Sequence, residues 1–308
     1  MARYIYGPVP SRRLGLSLGV DLVPMKTCTF NCVYCQLGPT AQTTMERADY
    51  TPPDEVAAEV IDRIGRAPRP DWVTLGGSGE PTLHASFGEI ARRIAADSDI
   101  PLSLLTNGSL MMLPEVRRAC EPLSLILPSL DAGTEQTFRR VNRPHPDLTL
   151  AGVVAGLEAL RDEFDGEIWL EVFLVAGMND SDREIAQMKA HIARVRPDRV
   201  QLNTAVRPPA EEDVRALSAE RLEEVRAMLG PTAEVVAEVE ERVRREAGAE
   251  AGEQQVLEML ERRPCTLEDI SAGLGIAPNE VLKYVQSLLE QDRLLQKREG
   301  GRIYYCGK

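Results

Sequence analysis

Three cysteines within eight residues, Cys28, Cys32 and Cys35, constrain this chain more than any other feature of its sequence. The C-x-x-x-C-x-x-C spacing offers three thiolates to one centre and no fourth. A structural zinc site is closed by four ligands, usually supplied as two C-x-x-C-like pairs. A cubane iron-sulfur cluster can instead be held at three corners, leaving its fourth iron open to a substrate. His84, His145 and His191 lie far from the triad in sequence, and Cys120, Cys265 and Cys306 are isolated from one another, so no second pair completes a zinc knuckle. The plainer alternatives are three buried cysteines in a loop, or half a zinc site completed from afar. Six cysteines in 308 residues, with no apolar N-terminal stretch of signal-peptide length, do not make a disulfide framework. They point to a reducing cytoplasm, where thiols stay free for metal.

Charge narrows the partners. The 36 basic and 48 acidic side chains give a net charge of −12, which repels a polyanion unless a local basic patch intervenes. DNA is therefore disfavoured as a partner, and no apolar run approaches the roughly twenty residues of a membrane span. The length is enough for one large domain and a small one.

From Leu16 to about Leu229, short apolar runs alternate with amphipathic helical stretches, the pattern of βα units around a parallel sheet. The expected strands are 17–23, 72–75, 102–105, 123–127, 168–175 and 200–203; helical patterns fill the intervals, ending with 218–229. Six strands predict an α/β fold, a partial (βα)6 TIM-like barrel over residues 1–230, with ligands at the C-terminal strand ends. Residues 231–252 are acidic and alanine-rich and read as a connecting helix. Residues 253–308 read as helix, helix, helix and hairpin about Gly300-Gly301, a winged-helix-like domain whose second helix starts at Thr266 with Asp269 as capping partner.

The triad, with Tyr34 just before its last cysteine, resembles that of the radical S-adenosylmethionine (SAM) superfamily. The resemblance implies a 4Fe-4S cluster on Cys28, Cys32 and Cys35 and SAM chelated to the free iron. One electron, from a flavodoxin- or ferredoxin-like donor of low potential, then cleaves SAM to methionine and a 5′-deoxyadenosyl radical that takes a hydrogen atom from a substrate. The segment Gly76-Gly77-Ser78-Gly79-Glu80-Pro81 is similar to the superfamily's GGEP stretch, which implies that Gly76, Gly77, Gly79 and Glu80 receive the SAM ammonium. Thr106 and Asn107, and Ser129 and Asp131, end the third and fourth expected strands, where relatives place polar groups against the SAM carboxylate and ribose; ordinary strand-end caps are the alternative. Val175 and Gly177 on the fifth strand, with Tyr34, would lie beside adenine, unless that apolar strand is simple core.

Gly7-Pro8-Val9-Pro10-Ser11-Arg12-Arg13-Leu14-Gly15, Ser129-Leu130-Asp131-Ala132, Val141-Asn142-Arg143-Pro144 and Gln201-Leu202-Asn203-Thr204 together resemble the superfamily branch related to demethylwyosine synthase, a tRNA-modifying enzyme. The likeness covers residues 1 to about 230. It departs at the cysteines, because the second cluster of that enzyme would need a further set and only Cys120, Cys265 and Cys306 remain.

Arg12 and Arg13 are candidates to grip a substrate carboxylate or phosphate, or else to form a surface ion pair or brace the cluster loop. Of five lysines, only Lys26 and Lys189 precede the C-terminal region, so Lys26 is the one plausible Schiff-base amine and otherwise a positive charge near the cluster. Residues 250–308 carry ten acidic and eight basic side chains, a balance of −2 that argues against DNA binding and for a protein-binding, substrate-presenting or dimerising element. The expected function is a cytoplasmic radical SAM enzyme, an oxidoreductase acting on an unidentified protein or small-molecule substrate. A glycyl-radical-type activase and a tRNA-base-modifying enzyme are enzymatic alternatives. An iron-sulfur winged-helix regulator is the alternative of another class.

Overall fold

Six short apolar runs, separated by amphipathic helical stretches, become parallel neighbours in one sheet, and a seventh parallel strand joins them. The computed structural model describes residues 3–11, 13–35, 37, 39–205, 211, 213–236, 253–275, 281, 284, 285, 288, 289, 291–299 and 302–308. The sheet runs β1 (Ile5–Ser11), β2 (Gly15–Val20), β3 (Trp72–Leu75), β4 (Leu102–Thr106), β5 (Leu125–Pro128), β6 (Glu167–Leu174), β7 (Arg199–Thr204) and β8 (Ala233–Val235), with spatial order following chain order. β2 to β8 are parallel, and β1 pairs antiparallel with β2. Consecutive parallel strands need crossovers, and same-handed crossovers curl such a sheet toward a barrel with its helices outside. β1 and β8 do not pair, so this barrel is partial.

Helices α1 (Pro53–Ile64), α2 (Phe87–Asp97), α3 (Pro114–Ala119), α4 (Glu135–Val141), α5 (Leu150–Glu163), α6 (Asp182–Val195) and α7 (Ala219–Leu229) lie close to the sequence expectation. Their ends carry local signals. α1 opens on Pro53 with Asp54 and Glu55 in its first turn and Arg63 in its last, matching the helix dipole. α6 opens on Ser181, whose hydroxyl accepts the Glu184 N–H, and stops where Arg196 turns to φ 54°.

Side-chain alternation sorts the strands into two faces. Leu18, Val20, Val73, Leu75, Leu102 and Leu104 pack outward in the main core with Phe87, Ile90 and Ile94 of α2. Burying each such side chain contributes about 1.5–3 kcal/mol. The intervening positions face inward and are polar at one level, where Thr74 Oγ1 is 2.7 Å from Ser17 Oγ and 2.9 Å from Ser103 Oγ. Leu14, Leu125 and Leu127, with Trp72 and Trp169, form a separate apolar cluster near the strand starts.

Two strands escape the sequence reading. β1 contains Gly7-Pro8 and Pro10, which carry no strand signal; as the sheet edge it has one side without ladder bonds, where proline is tolerated. The connecting helix expected from Pro231 is corrected at its start: Ala233–Val235 is β8, paired with β7. Three residues are too few to show strand periodicity. The remainder of that segment, 237–252, lies outside the described residues.

Beyond it, α8 (Glu253–Arg262) and α9 (Leu267–Leu274) pack with the hairpin of β9 (Leu294–Glu299) and β10 (Arg302–Gly307) around a core of their own, including Val256, Leu260, Ile270, Leu294 and Tyr305. Thr266 and Asp269 form the expected reciprocal capping box. The third helix expected from Pro278 falls largely on residues outside the description. None of the described helices is long and apolar enough to cross a membrane.

Candidate active site at the cysteine loop

The cysteine loop follows β2 and is tied down on two sides. On one side, the Asn31 N–H donates to the Asn142 and Arg143 carbonyls at 3.1 Å, and the Val33 N–H donates to the Val141 carbonyl at 3.0 Å. On the other, the Lys26 N–H donates to the Ser78 carbonyl at 2.7 Å, and the Glu80 N–H donates to the Thr27 carbonyl at 2.9 Å. The triad thus sits between the segment after α4 and the glycine turn after β3.

All three cysteines are free thiols, and each sulfur faces a different side-chain nitrogen. Lys26 Nζ lies 3.1 Å from Cys35 Sγ, Asn107 Nδ2 3.5 Å from Cys28 Sγ, and Asn142 Nδ2 3.6 Å from Cys32 Sγ. Burial, followed by the Glu80 carboxylate, pushes the Cys28 thiol up to about 12. Cys32 is raised well above its ordinary value by burial and then by Asp131. Without a metal these thiols hold their protons; metal binding displaces them, and the nitrogen donors suit the thiolate charge that results. The donor set fits a three-cysteine iron-sulfur cluster. Among the described residues, no trio of His, Cys, Asp or Glu gathers where one ion could sit; binding to separate corner irons requires no such convergence.

The glycine turn is braced from below. Gly76 has φ 153°, and a Cβ on Gly79 would fall 2.1 Å from the Thr27 carbonyl, so both positions demand glycine. Asp21, just after β2, accepts the Ser78 N–H at 2.6 Å and the Ser78 hydroxyl at 2.7 Å. The Tyr6 hydroxyl donates to the Gly76 carbonyl at 3.1 Å.

Glu80 is 2% exposed, and its two oxygens accept from the Thr82 N–H and hydroxyl, the Thr106 hydroxyl and the Asn107 N–H. Burial raises its pKa against those four hydrogen bonds. Its carboxylate is therefore an internal tie between the glycine turn and the end of β4. Thr106 and Asn107 are both engaged with it, and Asn107 also donates to Thr29 Oγ1 at 2.7 Å.

Asp131 is a second buried tie. It accepts from the Tyr34 hydroxyl, from Asn142 Nδ2 at 2.7 Å and from the Phe173 N–H at 2.8 Å. Burial dominates and lifts its carboxyl to about 6. The Tyr34 ring stacks on Phe173 with centroids 4.0 Å apart. Val175 is fully buried beside Val33 and Val141 in that apolar cluster, Ser129 bridges to Glu171, and Gly177 takes φ 72° with its carbonyl accepting from Arg140.

A cavity of about 500 Å³ opens inside the partial barrel beneath the loop. Of the residues predicted from sequence, it brings together Arg13, Cys32, Tyr34, Cys35, Gly76 and Gly77. Lys26, Cys28, Gly79, Glu80, Thr106, Asn107, Ser129, Asp131, Val175 and Gly177 are not in its lining, and Gly177 is exposed to solvent. Arg12 lies outside the described residues. The C-terminal region completes the enclosure with Met259, Arg262 and Arg263 of α8 and its exit, and Ala272 and Gly273 of α9.

A radical SAM superfamily profile matches residues 22–188, more than half of the chain, taking in the whole cysteine loop and the glycine turn. The chain belongs to the radical SAM superfamily. SAM and a 4Fe-4S cluster are the cofactors that go with that membership and with this donor set. A Methanocaldococcus jannaschii protein named UPF0026 protein MJ1312 is 35% identical over 212 residues, covering 68% of this chain and 66% of that one. A Brachyspira hyodysenteriae protein named GTPase Obg is 34% identical over 304 residues, 98% of this chain and 45% of that protein. The chain thus spans about half of the second relative. The G-x-x-x-x-G-K-[ST] phosphate loop is not found in this sequence, so the GTPase name is not carried over. The solved structure of a radical SAM methyltransferase from Sphaerobacter thermophilus shares the fold, with TM-score 0.53 and 19% identity over 71% of this chain and 66% of that one.

Sequence reasoning missed the cavity's own inward-facing side chains: Tyr6, Ser17, Thr74, Glu171 and Asn203. A signal for four of them existed. Strands covered on both faces read as continuous apolar runs, so a polar residue within one marks the barrel interior. Tyr6 and the α8 residues had no such signal, because their place depends on tertiary packing.

Proposed function

We propose that the chain is a radical SAM enzyme that abstracts hydrogen from a small molecule bound in the cavity between the cysteine loop and the C-terminal helices. The observation that carries this reading is that one cavity is lined by Cys32 and Cys35, by the glycine turn at Gly76–Ser78, and by α8 and α9. Its volume of about 500 Å³ is within the range of small-molecule sites.

Cys28, Cys32 and Cys35 would hold the cluster, with Lys26, Asn107 and Asn142 presenting N–H groups to its ligating sulfurs. The backbone of Gly76, Gly77 and Ser78 would receive the SAM ammonium, in place of the Glu80 carboxylate, which is consumed internally. The stacked rings of Tyr34 and Phe173 would give an apolar wall that excludes water. Held there, a 4Fe-4S cluster would supply the one-electron chemistry for reductive SAM cleavage, with the electron coming from a low-potential flavodoxin- or ferredoxin-like donor.

The test is anaerobic incubation of the reconstituted, dithionite-reduced chain with SAM and fractionated small-molecule extracts. A fraction that raises 5′-deoxyadenosine formation above the substrate-free rate supports the reading. Stimulation by a protein or RNA fraction alone refutes the small-molecule assignment.

A further inference from the structure

Two guanidinium groups reach the cavity with donors left over. Arg13, in the turn between β1 and β2, crosses to β6, where its Nη2 pairs with Glu171 Oε2 at 2.7 Å. Glu171 is held in turn by Asn203 Nδ2 at 3.1 Å, so this arginine is anchored at one end. Its Nη1 is buried and has no acceptor.

The second group is Arg263, immediately after α8. Its neighbour Arg262 is ion-paired through Nη1 with Asp21 and lies 3.9 Å over the Tyr6 ring. That double anchorage fixes the end of α8 and sets Arg263 in the cavity wall, half-buried, with no acceptor for its guanidinium among the described residues. A partly desolvated guanidinium without an acceptor is unfavourable, and its fork geometry matches carboxylate and phosphate oxygens.

The acids lining the same wall are not paired with Arg263. Glu171 serves Arg13 and Asn203, Asp269 turns Oδ2 to the Thr266 capping box, and Glu258 accepts from Gln254 at 3.1 Å.

We infer that the substrate carries a terminal oxyanion, a carboxylate or a phosphate, engaged by Arg13 on the barrel wall and by Arg263 on the C-terminal region. This deepens the proposed function and rests on that cavity being the substrate chamber. The C-terminal region then contributes part of the binding site itself, and the chain's net charge of −12 disfavours polyanions.

The experiment is calorimetric titration of the reconstituted full chain, with SAM present, using inorganic phosphate and succinate as separate probes at constant ionic strength. At least one probe should bind saturably, and which one does distinguishes phosphate from carboxylate. Arg263→Gln and Arg13→Gln should each weaken that binding at least tenfold, Arg263→Lys less, and Arg92→Gln on the outer helices not at all. Arg263→Gln breaks no side-chain hydrogen bond or ion pair among the described residues, so it keeps the test readable should Arg13→Gln unfold. Absence of saturable binding by both probes, or parental affinity in Arg263→Gln, overturns the inference. SAM cleavage measured in parallel separates the two claims: cleavage without anion binding overturns only this inference, whereas anion binding with SAM left intact overturns the proposed reaction.

Discussion

Asn142 uses its amide nitrogen twice, donating to Asp131 Oδ2 at 2.7 Å and lying 3.6 Å from Cys32 Sγ, while its own Oδ1 is buried without a partner. The reverse amide orientation would set an oxygen against a carboxylate and a cysteine sulfur, so electrostatics fixes the side chain as it stands. N–H groups directed at cluster sulfurs stabilise the more reduced, more negative state and raise the reduction potential. Asn142→Ala should therefore lower the cluster midpoint by roughly 59 mV, the equivalent of tenfold for a one-electron couple, while leaving iron content unchanged. Potentiometry followed by electron paramagnetic resonance reads this directly; an unchanged or higher midpoint removes Asn142 from the tuning role.

Arg262 links the C-terminal region to the glycine turn by two routes, through Asp21 to Ser78 and through Tyr6 to Gly76. Arg262 and Asp21 are 27% and 16% exposed, so their ion pair is shielded from solvent. Arg262→Ala should cost about 1.5–3 kcal/mol of SAM binding and C-terminal docking together, the range for hydrogen bonds to charged groups. Equilibrium SAM binding and limited proteolysis between residues 236 and 253 would show both losses. Unaltered SAM affinity would mean that the turn holds its shape without the C-terminal region.

Much of this site was legible in the sequence, but by different signals with different reach. The triad spacing points to the proposed cluster ligands because three thiols and no fourth are a statement about chemistry, independent of fold. The parallel strands follow from apolar periodicity, and β1 and β8 do not, because prolines at an edge and a three-residue strand carry no period. Glu80 reads as ligand-facing from its likeness to the GGEP stretch, and Asp131 from its place at a strand end. A strand end fixes the neighbourhood of a side chain but not its direction, and both carboxylates turn inward to collect backbone and hydroxyl donors. Arg262 and Arg263 belong to the cavity only through the way α8 docks on β1, which no local pattern encodes.

Removing the inward carboxylate should therefore act on stability first. Glu80→Ala leaves the Thr82, Thr106 and Asn107 donors without their acceptor in a buried place, at about 1–3 kcal/mol per uncompensated group. Urea denaturation should show a loss of at least about 2 kcal/mol, with Glu80→Gln intermediate. Parental stability together with weakened SAM binding would instead restore Glu80 as a direct ligand.

Asp131 gives a pH signature. Its carboxyl, lifted to about 6 chiefly by burial, holds a proton more tightly in the folded chain than the unfolded value of 3.8. Between those limits the folded state binds more protons than the unfolded one, so this group's contribution to stability falls as pH rises from about 4 to about 6, by roughly 3 kcal/mol in all. Above that window the cost is fully present; below it, absent. Comparing Asp131→Asn with the parent by denaturation at pH 4.5 and 7 should show the parent's relative advantage at the lower pH, and an identical difference at both values would refute the raised carboxyl.

The central claim is that Cys28, Cys32 and Cys35 carry a redox-active cluster that cleaves SAM. The most direct test is anaerobic reconstitution of the full chain, reduction with dithionite, and quantification of 5′-deoxyadenosine and methionine. The account predicts about four irons and four sulfides per chain, equal amounts of the two products, and loss of both products on alanine substitution of any one of the three cysteines. Stoichiometric zinc in place of iron after anaerobic purification, or a reducible cluster that leaves SAM intact, would contradict it.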